Sequence, residues 1–238
     1  NLLAEVADAA APAWVRFVTS HPRDFSDELI EVIACHPNVC RQVHLPVQSG
    51  SSRVLGLMNR GYGREEYLDL VRRLRSALPG VVLSTDVIAG FPGETEADFE
   101  DTVSLLSEVR YDYAFLFRYS ERRGTAAAGL PDGVPVGVRL SRLGVLQTLQ
   151  AGITRERSAE LAGRTMPVLV TGRGSRPGQS AGRTAGNRMV VFDGEQLEPG
   201  LFVRAFVISG DGWTHFARSA GVIADDKSRP PADEGGCR

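Results

Sequence analysis

Polar side chains recur at alternate positions in two strand-like segments of this sequence. His44 and Gln48 lie in "HLPVQSGS", while Ser84 and Asp86 lie in "VVLSTDVIAGFPGE". Because successive residues of a strand point to opposite faces, His44 and Gln48 share one face, as do Ser84 and Asp86. A carboxylate in the middle of a strand is costly unless it is paired or bound to something polar. These residues therefore either line a polar hollow that binds a ligand or only satisfy their neighbours.

The segments that must position these side chains alternate between strand and helix patterns from about residue 12 to residue 130. Strands separated by helices at this spacing are typical of parallel strands joined by crossovers, which predicts an α/β barrel or a doubly wound sheet. In such folds ligands gather at the carboxyl ends of the strands. The predicted strands are "WVRFVTSHP", "CRQVHLPVQ", "VVLSTDVIAGFPGE" and "YDYAFLFRYS". They run into polar or glycine-rich turns at residues 19–22, 47–52, 89–95 and 119–125.

A different organisation follows residue 130. The segment 131–135, "PDGVP", breaks the pattern, and an apolar stripe then predicts a long arginine-rich helix over 138–161. Residues 131–162 are therefore interpreted as a linker and a long helix. Residues 163–223 contain four β runs separated by glycine turns, which predicts a small all-β barrel. The acidic, proline-rich residues 224–238 are predicted to be disordered.

Charge is divided unevenly between these parts. Residues 1–162 contain 17 arginines and 21 acidic residues, whereas 163–223 contain 7 arginines and 4 acidic residues. The basic second part is compatible with a nucleic-acid partner, although an arginine-rich composition is also typical of a GC-rich genome. Candidate RNA contacts, in or beside turns where they could reach phosphates and unstacked bases, are Arg164, Arg183, Asn187 and Arg188.

No run of eighteen apolar residues occurs, so the sequence predicts no membrane span. The first residues lack an initiator Met and a signal-peptide pattern, which indicates a fragment. The three cysteines, Cys35, Cys40 and Cys237, are too few and too irregular for a disulfide framework or a metal cage. We therefore predict no metal site in this chain and a cytoplasmic location.

Four motifs together carry a family resemblance. They are "HLPVQSGSSRVLGLMNRGYGREEY", "STDVIAGFPGETEADFEDT", "FRYSERRGTAAA" and "GRTAGNRMVVFDG". In order and spacing they resemble the radical S-adenosylmethionine methylthiotransferases, specifically the MiaB-type enzymes that modify tRNA, over about residues 12–223. The ribosomal-protein branch usually has a different sequence at "HLPVQSGS". The threonylcarbamoyl-adenosine branch remains an alternative.

The resemblance implies a barrel of six β/α units, of which this chain would hold about four, followed by an RNA-binding TRAM domain of OB-like type. It also implies that a methylthio group is added to carbon 2 of an isopentenylated adenosine beside the tRNA anticodon. The implied cofactors are S-adenosylmethionine and 4Fe–4S clusters. No CxxxCxxC motif is present. The chain is therefore interpreted as the C-terminal portion of a monomeric enzyme, and by itself as inactive.

Site roles follow from the resemblance only in part, and no catalytic residue is assigned. Gln48, Ser84 and Asp86 would hydrogen-bond the ribose and methionine groups of S-adenosylmethionine. Phe91 and the turn at 89–94 would approach its adenine, although Gly90 and Gly93 are equally well explained as turn residues. A non-catalytic RNA-binding fragment is the alternative. An unrelated phosphate-binding barrel would need a glycine-rich phosphate loop and a carboxylate pair, and the sequence shows neither clearly.

Overall fold

The computed structural model describes residues 1–18, 21–131 and 133–223. The helices are α1 Leu2–Ala10, α2 Asp27–Cys35, α3 Ser52–Leu57, α4 Arg64–Ala77, α5 Glu96–Val109 and α6 Val136–Ala159, with short 3₁₀ helices at Pro22–Asp24 and Ala126–Gly129. The strands are β1 Gln42–His44, β2 Val82–Ala89, β3 Tyr113–Arg118, β4 Thr165–Arg173, β5 Ser180–Thr184, β6 Met189–Phe192, β7 Phe202–Gly210 and β8 Thr214–Val222. The predicted tail at 224–238 lies outside the described residues.

Strands β1, β2 and β3 form a parallel sheet in that order. Helices cover one face of it, because α4 and α5 present apolar stripes to the odd-numbered residues of β1 and β2. The resulting core includes Val43, Leu83, Val87, Leu74 and Leu106. The opposite face carries the even-numbered residues of β1 and β2, which include His44, Ser84 and Asp86, and the odd-numbered residues of β3, which include Phe115. The α/β class and the shared polar face predicted from the sequence are confirmed.

The predicted first strand, "WVRFVTSHP", is wrong as a strand in the described residues. It contributes a single parallel bridge between Val15 and Val39. The side chains on either side of Val15 contact the second half of the chain. Trp14 packs against Phe202, with ring centroids 4.9 Å apart, and Arg16 donates to the Thr184 carbonyl oxygen at 2.7 Å. Tertiary contacts therefore override the local β pattern. The part of the barrel described here has three strands and this bridge instead of four strands.

Strand β1 is shorter than the predicted segment 40–48. Pro46 has no N–H to donate, so the ladder stops after His44 and resumes only as a bridge between Gln48 and Val87. The intervening amides still find acceptors: Leu45 N donates to Ser84 O at 2.7 Å, and Val47 N donates to Thr85 Oγ1 at 3.0 Å. The chain thus stays beside β2 and reaches its carboxyl end.

Strands β4 to β8 form a closed barrel in the order β4-β5-β6-β8-β7. The all-β prediction is confirmed, but it missed β5, whose sequence "SAGRT" has little β propensity. Gly182 permits the close approach of β5 to β4, because a Cβ there would lie 2.6 Å from Leu169 O. Val168, Val190, Phe192 and Val203 fill the interior.

Helix α6 connects the two parts and contacts both. Gln150 Nε2 donates to Tyr111 O at 2.9 Å, whereas Ser158 Oγ lies 3.0 Å from His215 Nε2 in β8. Trp213 stacks on Tyr113, with centroids 4.7 Å apart. The division of the chain at residues 130 and 162 stays a prediction, but these contacts hold the β-barrel against the amino end of the sheet.

Candidate functional site

The polar face of the sheet is organised around His44. Its Nδ1 lies 3.0 Å from Ser84 Oγ, and its Nε2 lies 3.5 Å from Asp86 Oδ2. Ser84 is buried, whereas the side chain of Asp86 is 28% exposed. The sequence placed His44 on the polar face but gave it no role, because strand alternation does not show which side chains touch between strands. In the structure His44 links the two residues.

Gln48 ends the polar face in an unusual backbone conformation. Its φ is +73°, in the left-handed region that non-glycine residues rarely adopt. Its backbone is held on both sides, since its N–H donates to Asp86 O at 2.8 Å and its carbonyl accepts from Ile88 N at 2.9 Å. Strained backbone that is held in this way is concentrated at binding sites. Here it directs the chain out of the sheet beside Asp86.

A cavity of about 470 Å³ lies at the carboxyl ends of β2 and β3. Three of the four predicted cofactor-binding residues, Gln48, Asp86 and Phe91, line it, whereas Ser84 lies deeper against His44. The remaining lining residues are Ile88, Phe117, Arg118, Tyr119, Ser120, Arg122, Thr125 and Ala127. The cavity combines an apolar wall with a few polar groups, as small-molecule sites do.

Phe91 lies in the turn after β2 and is buried. Its ring meets the ring of Tyr119 edge to face, with centroids 5.3 Å apart. Tyr119 lines the cavity beside Phe91, and the sequence did not assign it to the site. Phe91 therefore supports the aromatic wall and presents little surface of its own.

A buried ion pair fixes the turn that carries Phe91. Glu94 Oε1 accepts from Gly90 N at 3.0 Å and from Arg142 Nη1 at 2.7 Å. Burial raises the pKa of Glu94, and the Gly90 and Arg142 hydrogen bonds partly oppose that rise. Gly90 has φ +75°, and a Cβ there would overlap Arg139. The turn explanation of this glycine is sufficient, and the sequence contained no signal for Arg142, which lies 48 residues from Glu94.

The serine-rich end of "HLPVQSGS" does not line the cavity. Gly50 N donates to Thr102 Oγ1 at 2.9 Å, and a Cβ on Gly50 would overlap the backbone of α5. Ser51 Oγ donates to Asp98 at 2.6 Å, and Arg53 forms an ion pair with the same carboxylate. Burial alone would raise the pKa of Asp98, but hydrogen bonds from Arg53, Ser51 and Thr95 lower it below its usual range. These serines therefore anchor the loop to α5.

The predicted RNA-binding residues lie on the side of the β-barrel that faces the sheet. Arg164 is exposed, whereas Arg183 is partly buried and donates to Asn187 O at 2.9 Å. Asn187 has φ +62° at the turn between β5 and β6. The prediction that Arg188 is an exposed turn residue is wrong: its side chain is 8% exposed and forms an ion pair with Asp112.

Asp112 is the centre of this junction. Its Oδ2 accepts from Leu83 N at 2.8 Å, and its Oδ1 accepts from Arg188 and from Arg157, whose Nη2 lies 3.2 Å away. The pairing joins residues 76 positions apart. A cleft of about 540 Å³ next to it is lined by Arg41, Arg157, Arg164 and Arg188 together with neighbouring residues.

In residues 1–18, 21–131 and 133–223 no cluster of three or more His, Cys, Asp or Glu side chains could hold a metal ion. Within that same part of the chain, none of the helices combines the length and the apolar character that a membrane span requires.

Comparisons with known families account for both halves. Residues 2–106 match the Radical SAM superfamily, and residues 160–218 match the TRAM domain. The chain therefore contains a radical SAM region and a TRAM domain. The resemblance found in the sequence motifs is confirmed, and the closed five-stranded barrel is the TRAM domain.

Two relatives illustrate the match. The chain is 48% identical over 200 residues to the tRNA-2-methylthio-N(6)-dimethylallyladenosine synthase of Moorella thermoacetica, covering 84% of this chain and 45% of the relative. It is 49% identical over 224 residues to the enzyme of that name from Chlorobium luteolum, covering 93% of this chain and 50% of the relative. The chain thus spans about half the length of these relatives.

A solved structure agrees at the level of fold. Coproporphyrinogen III oxidase (HemN) from Escherichia coli, a radical SAM enzyme, superposes with a TM-score of 0.51 at 16% identity, over 73% of this chain and 46% of that chain. At this identity the likeness concerns the fold alone, and it agrees with the parallel α/β sheet described above.

Proposed function

We propose that this chain is the portion of a tRNA methylthiotransferase that binds S-adenosylmethionine at the carboxyl end of its sheet and tRNA through its TRAM domain. The proposed reaction adds a methylthio group to carbon 2 of an isopentenylated adenosine beside the anticodon. The observation that carries the proposal is the 48% identity, over 84% of this chain, to a tRNA-2-methylthio-N(6)-dimethylallyladenosine synthase. A monomeric, cytoplasmic enzyme remains part of the proposal.

The cavity residues fit S-adenosylmethionine. Ribose hydroxyls and the ammonium group are donors, and Asp86 presents a partly exposed carboxylate that can accept from them. Gln48 can donate or accept beside it, and Tyr119 offers a ring to the adenine. When bound, S-adenosylmethionine supplies the radical chemistry. The residues of this chain bind and orient it, with Ser84 acting through His44 to position Asp86.

The residues of this chain do not fit a four-iron cluster. Its cysteines at 35, 40 and 237 lack the CxxxCxxC spacing, and the described residues contain no group of three possible ligands. We therefore assign no step that passes through a cluster to this chain. Its proposed contribution is to bind and position the cofactor and the RNA.

The proposed RNA contacts are residues next to the cleft between the two parts. Arg164 is exposed and can reach a phosphate, and Arg183 lies beside the Asn187 turn. Arg188 would have to leave Asp112 to contact RNA, so its RNA contact is the least favoured of the four.

Two alternatives remain. In the threonylcarbamoyl-adenosine branch the same cavity would serve a different modified base, and in a non-catalytic fragment only the RNA contact would matter. The names of the relatives favour the isopentenyl branch, because both are dimethylallyladenosine enzymes.

Nucleoside analysis of tRNA from cells in which the gene for this chain is deleted separates the three. The proposal predicts loss of 2-methylthio-isopentenyladenosine with accumulation of isopentenyladenosine, measured by mass spectrometry and restored by the complete gene. Loss of the methylthio group from threonylcarbamoyl-adenosine instead would assign the other branch. Unchanged levels of both nucleosides would leave the non-catalytic alternative.

A further inference from the structure

The outer face of strands β7 and β8 carries large apolar side chains that folding does not bury. Along these strands the interior positions hold Val203, Ala205, Val207 and Ala217, all of them buried. The outward positions hold Phe206, Ile208 and Phe216, which are 40%, 48% and 38% exposed. Small residues face inward and large ones outward, the reverse of what core packing alone selects.

These residues form one contiguous surface. In the antiparallel pair Phe206 lies opposite Arg218, and Ser209 lies opposite Phe216. Arg204 lies two residues before Phe206 and therefore points to the same side of β7. The face thus contains two phenylalanines and one isoleucine, and each phenylalanine has an arginine two residues away on its own strand. We call Arg204, Phe206, Ile208, Phe216 and Arg218 the outer face.

The charge of the outer face is of one sign. Arg204 and Arg218 are exposed, and within the described part of the chain neither guanidinium group makes a hydrogen bond or an ion pair. Two nearby acidic side chains are directed to backbone amides: Asp211 accepts from Thr214 N at 2.8 Å, and Glu195 accepts from Ser219 N at 2.9 Å. Both guanidinium groups are therefore available to a ligand that carries negative charge.

We propose that the outer face binds single-stranded RNA, with unstacked bases on Phe206 and Phe216 and phosphates on Arg204 and Arg218. Aromatic side chains stack with any base, and arginines next to them follow the backbone, which is how strands of small β-barrels hold single-stranded nucleic acid. A duplex presents no free base faces to such a surface. An apolar protein partner would not require two unpaired arginines. Single-stranded RNA would use both the phenylalanine rings, through its bases, and the arginines, through its phosphates.

This inference depends on the proposed RNA substrate and adds a surface that the sequence did not indicate. Arg164, Arg183, Asn187 and Arg188 lie on the side of the barrel next to the sheet, whereas the outer face lies on the outward positions of β7 and β8.

The test measures binding of the whole chain to a fluorescein-labelled, unstructured twelve-nucleotide RNA and to the matching duplex by fluorescence anisotropy. The double variant Phe206→Leu, Phe216→Leu keeps the surface apolar but removes both π faces, so single-strand binding should weaken by about tenfold or more. Phe206→Tyr, Phe216→Tyr should bind within about twofold of wild type. Thermal melts confirm that each variant folds, and Leu140→Ala, an exposed residue on α6, is the control for a lost apolar group.

The arginines are tested by salt titration with the same probe. Replacing Arg204 and Arg218 by glutamine should reduce the slope of log affinity against log salt by up to about 1.4, since each single-strand phosphate contact contributes about 0.7. Arg173→Gln removes one positive charge from the end of β4, and its slope should stay close to wild type.

Three results would overturn the proposal. They are unchanged single-strand binding by the leucine variant, equal weakening of duplex binding, or a wild-type dimer in sedimentation that the arginine variants abolish. The last result would mean that a second copy of the chain covers the outer face. None of them would bear on the proposed reaction, whose failure appears instead as unchanged methylthio nucleosides in the deletion strain.

Discussion

Asp86 and Asp112 are carboxylates at opposite ends of the same parallel sheet, and their surroundings differ. Asp112 is 1% exposed and is saturated by two arginines and the Leu83 amide. Asp86 is 28% exposed, and the ion-pair partner it has in the described residues is His44 at 3.5 Å. The carboxylate oxygens of Asp112 are thus fully used as acceptors inside the protein, whereas Asp86 keeps acceptor capacity that faces a cavity.

This difference separates a structural polar cluster from a binding site better than residue type does. A fully paired buried charge adds little net stability to the fold. Its removal is nevertheless costly, because its partners are then left as unpaired buried charges. A carboxylate with spare acceptor capacity has little structural consequence but can hold a ligand. The two aspartates should therefore respond in opposite ways to the same substitution.

The largest expected effect is at the junction. Asp112→Ala leaves Arg188 buried without its ion-pair partner and the Leu83 amide without an acceptor, so the free energy of unfolding should fall by about 3–5 kcal/mol. Urea denaturation followed by circular dichroism measures it. Asp69→Ala is the matched control, because Asp69 pairs with Arg72 and Arg73 on the surface and should cost less than about 1 kcal/mol. Equal urea midpoints for the two variants would contradict the saturated junction.

Asp86→Ala should show the reverse pattern. Stability should change little, while affinity for S-adenosylmethionine should fall about ten- to a hundredfold, the effect of losing one charged hydrogen bond worth about 1.5–3 kcal/mol. Calorimetric titration measures this in a polypeptide of the full length of the relatives, because this chain spans about half of that length. Glu100→Ala, an exposed carboxylate of α5, is the control. Normal affinity in a folded Asp86 variant would make Asp86 a structural residue.

The sequence predicted what depends on local periodicity. Amphipathic stripes located α4 and α5, and strand alternation placed Ser84 and Asp86 on one face, because both patterns repeat within a few residues. Family resemblance then assigned a role to that face. The turn after β2 and the serine-rich loop were located as well, but the partners that hold them, Arg142 and Asp98, were not.

What the sequence could not show depends on pairing between distant residues. Arg188 has the setting of an exposed arginine in a glycine-rich turn, and only the fold brings Asp112 to it. Strand β5 was missed because glycine and small polar residues pack there against β4 for steric reasons, without a β-branched signal. The outer face was overlooked because a run such as "LFVRAFVISG" does not reveal which of its alternate residues face inward.

The third prediction concerns the contact between α6 and the barrel. Burial lowers the pKa of His215, which lies 3.0 Å from Ser158 Oγ. The hydrogen bond with Met189 O at 3.2 Å and the charge of Asp211 oppose this lowering of the pKa, whereas the charge of Arg188 adds to it. Because the folded pKa lies below the unfolded value of about 6.5, the unfolded chain binds the proton first as pH falls. Stability supplied by neutral His215 is therefore present above pH 6.5 and is lost below it, with a slope of at most about 1.4 kcal/mol per pH unit.

Urea midpoints between pH 7.5 and 5 measure this slope. His215→Gln retains a neutral amide at the contact and should flatten the dependence in this range. His21→Gln should flatten it less, because His21 is only partly buried. An unchanged slope in the His215 variant would mean that other groups, such as carboxylates, set the acid sensitivity.

The smallest expected effect is at the arginines that the sequence favoured for RNA. Arg164 is exposed beside the cleft, whereas Arg183 is partly buried and already donates to Asn187 O. Arg164→Gln should therefore lower the salt slope of tRNA binding by about one phosphate contact, roughly 0.7 to 0.9, and Arg183→Gln should lower it by less. The measurement is anisotropy with labelled tRNA at several salt concentrations, compared with the Arg204 and Arg218 variants. One outcome would separate the two surfaces: both cleft variants keep the wild-type salt slope, while the Arg204 and Arg218 variants show a reduced slope. The arginines next to the junction would then serve to hold the two parts together, and RNA would lie on the outward side of the TRAM barrel.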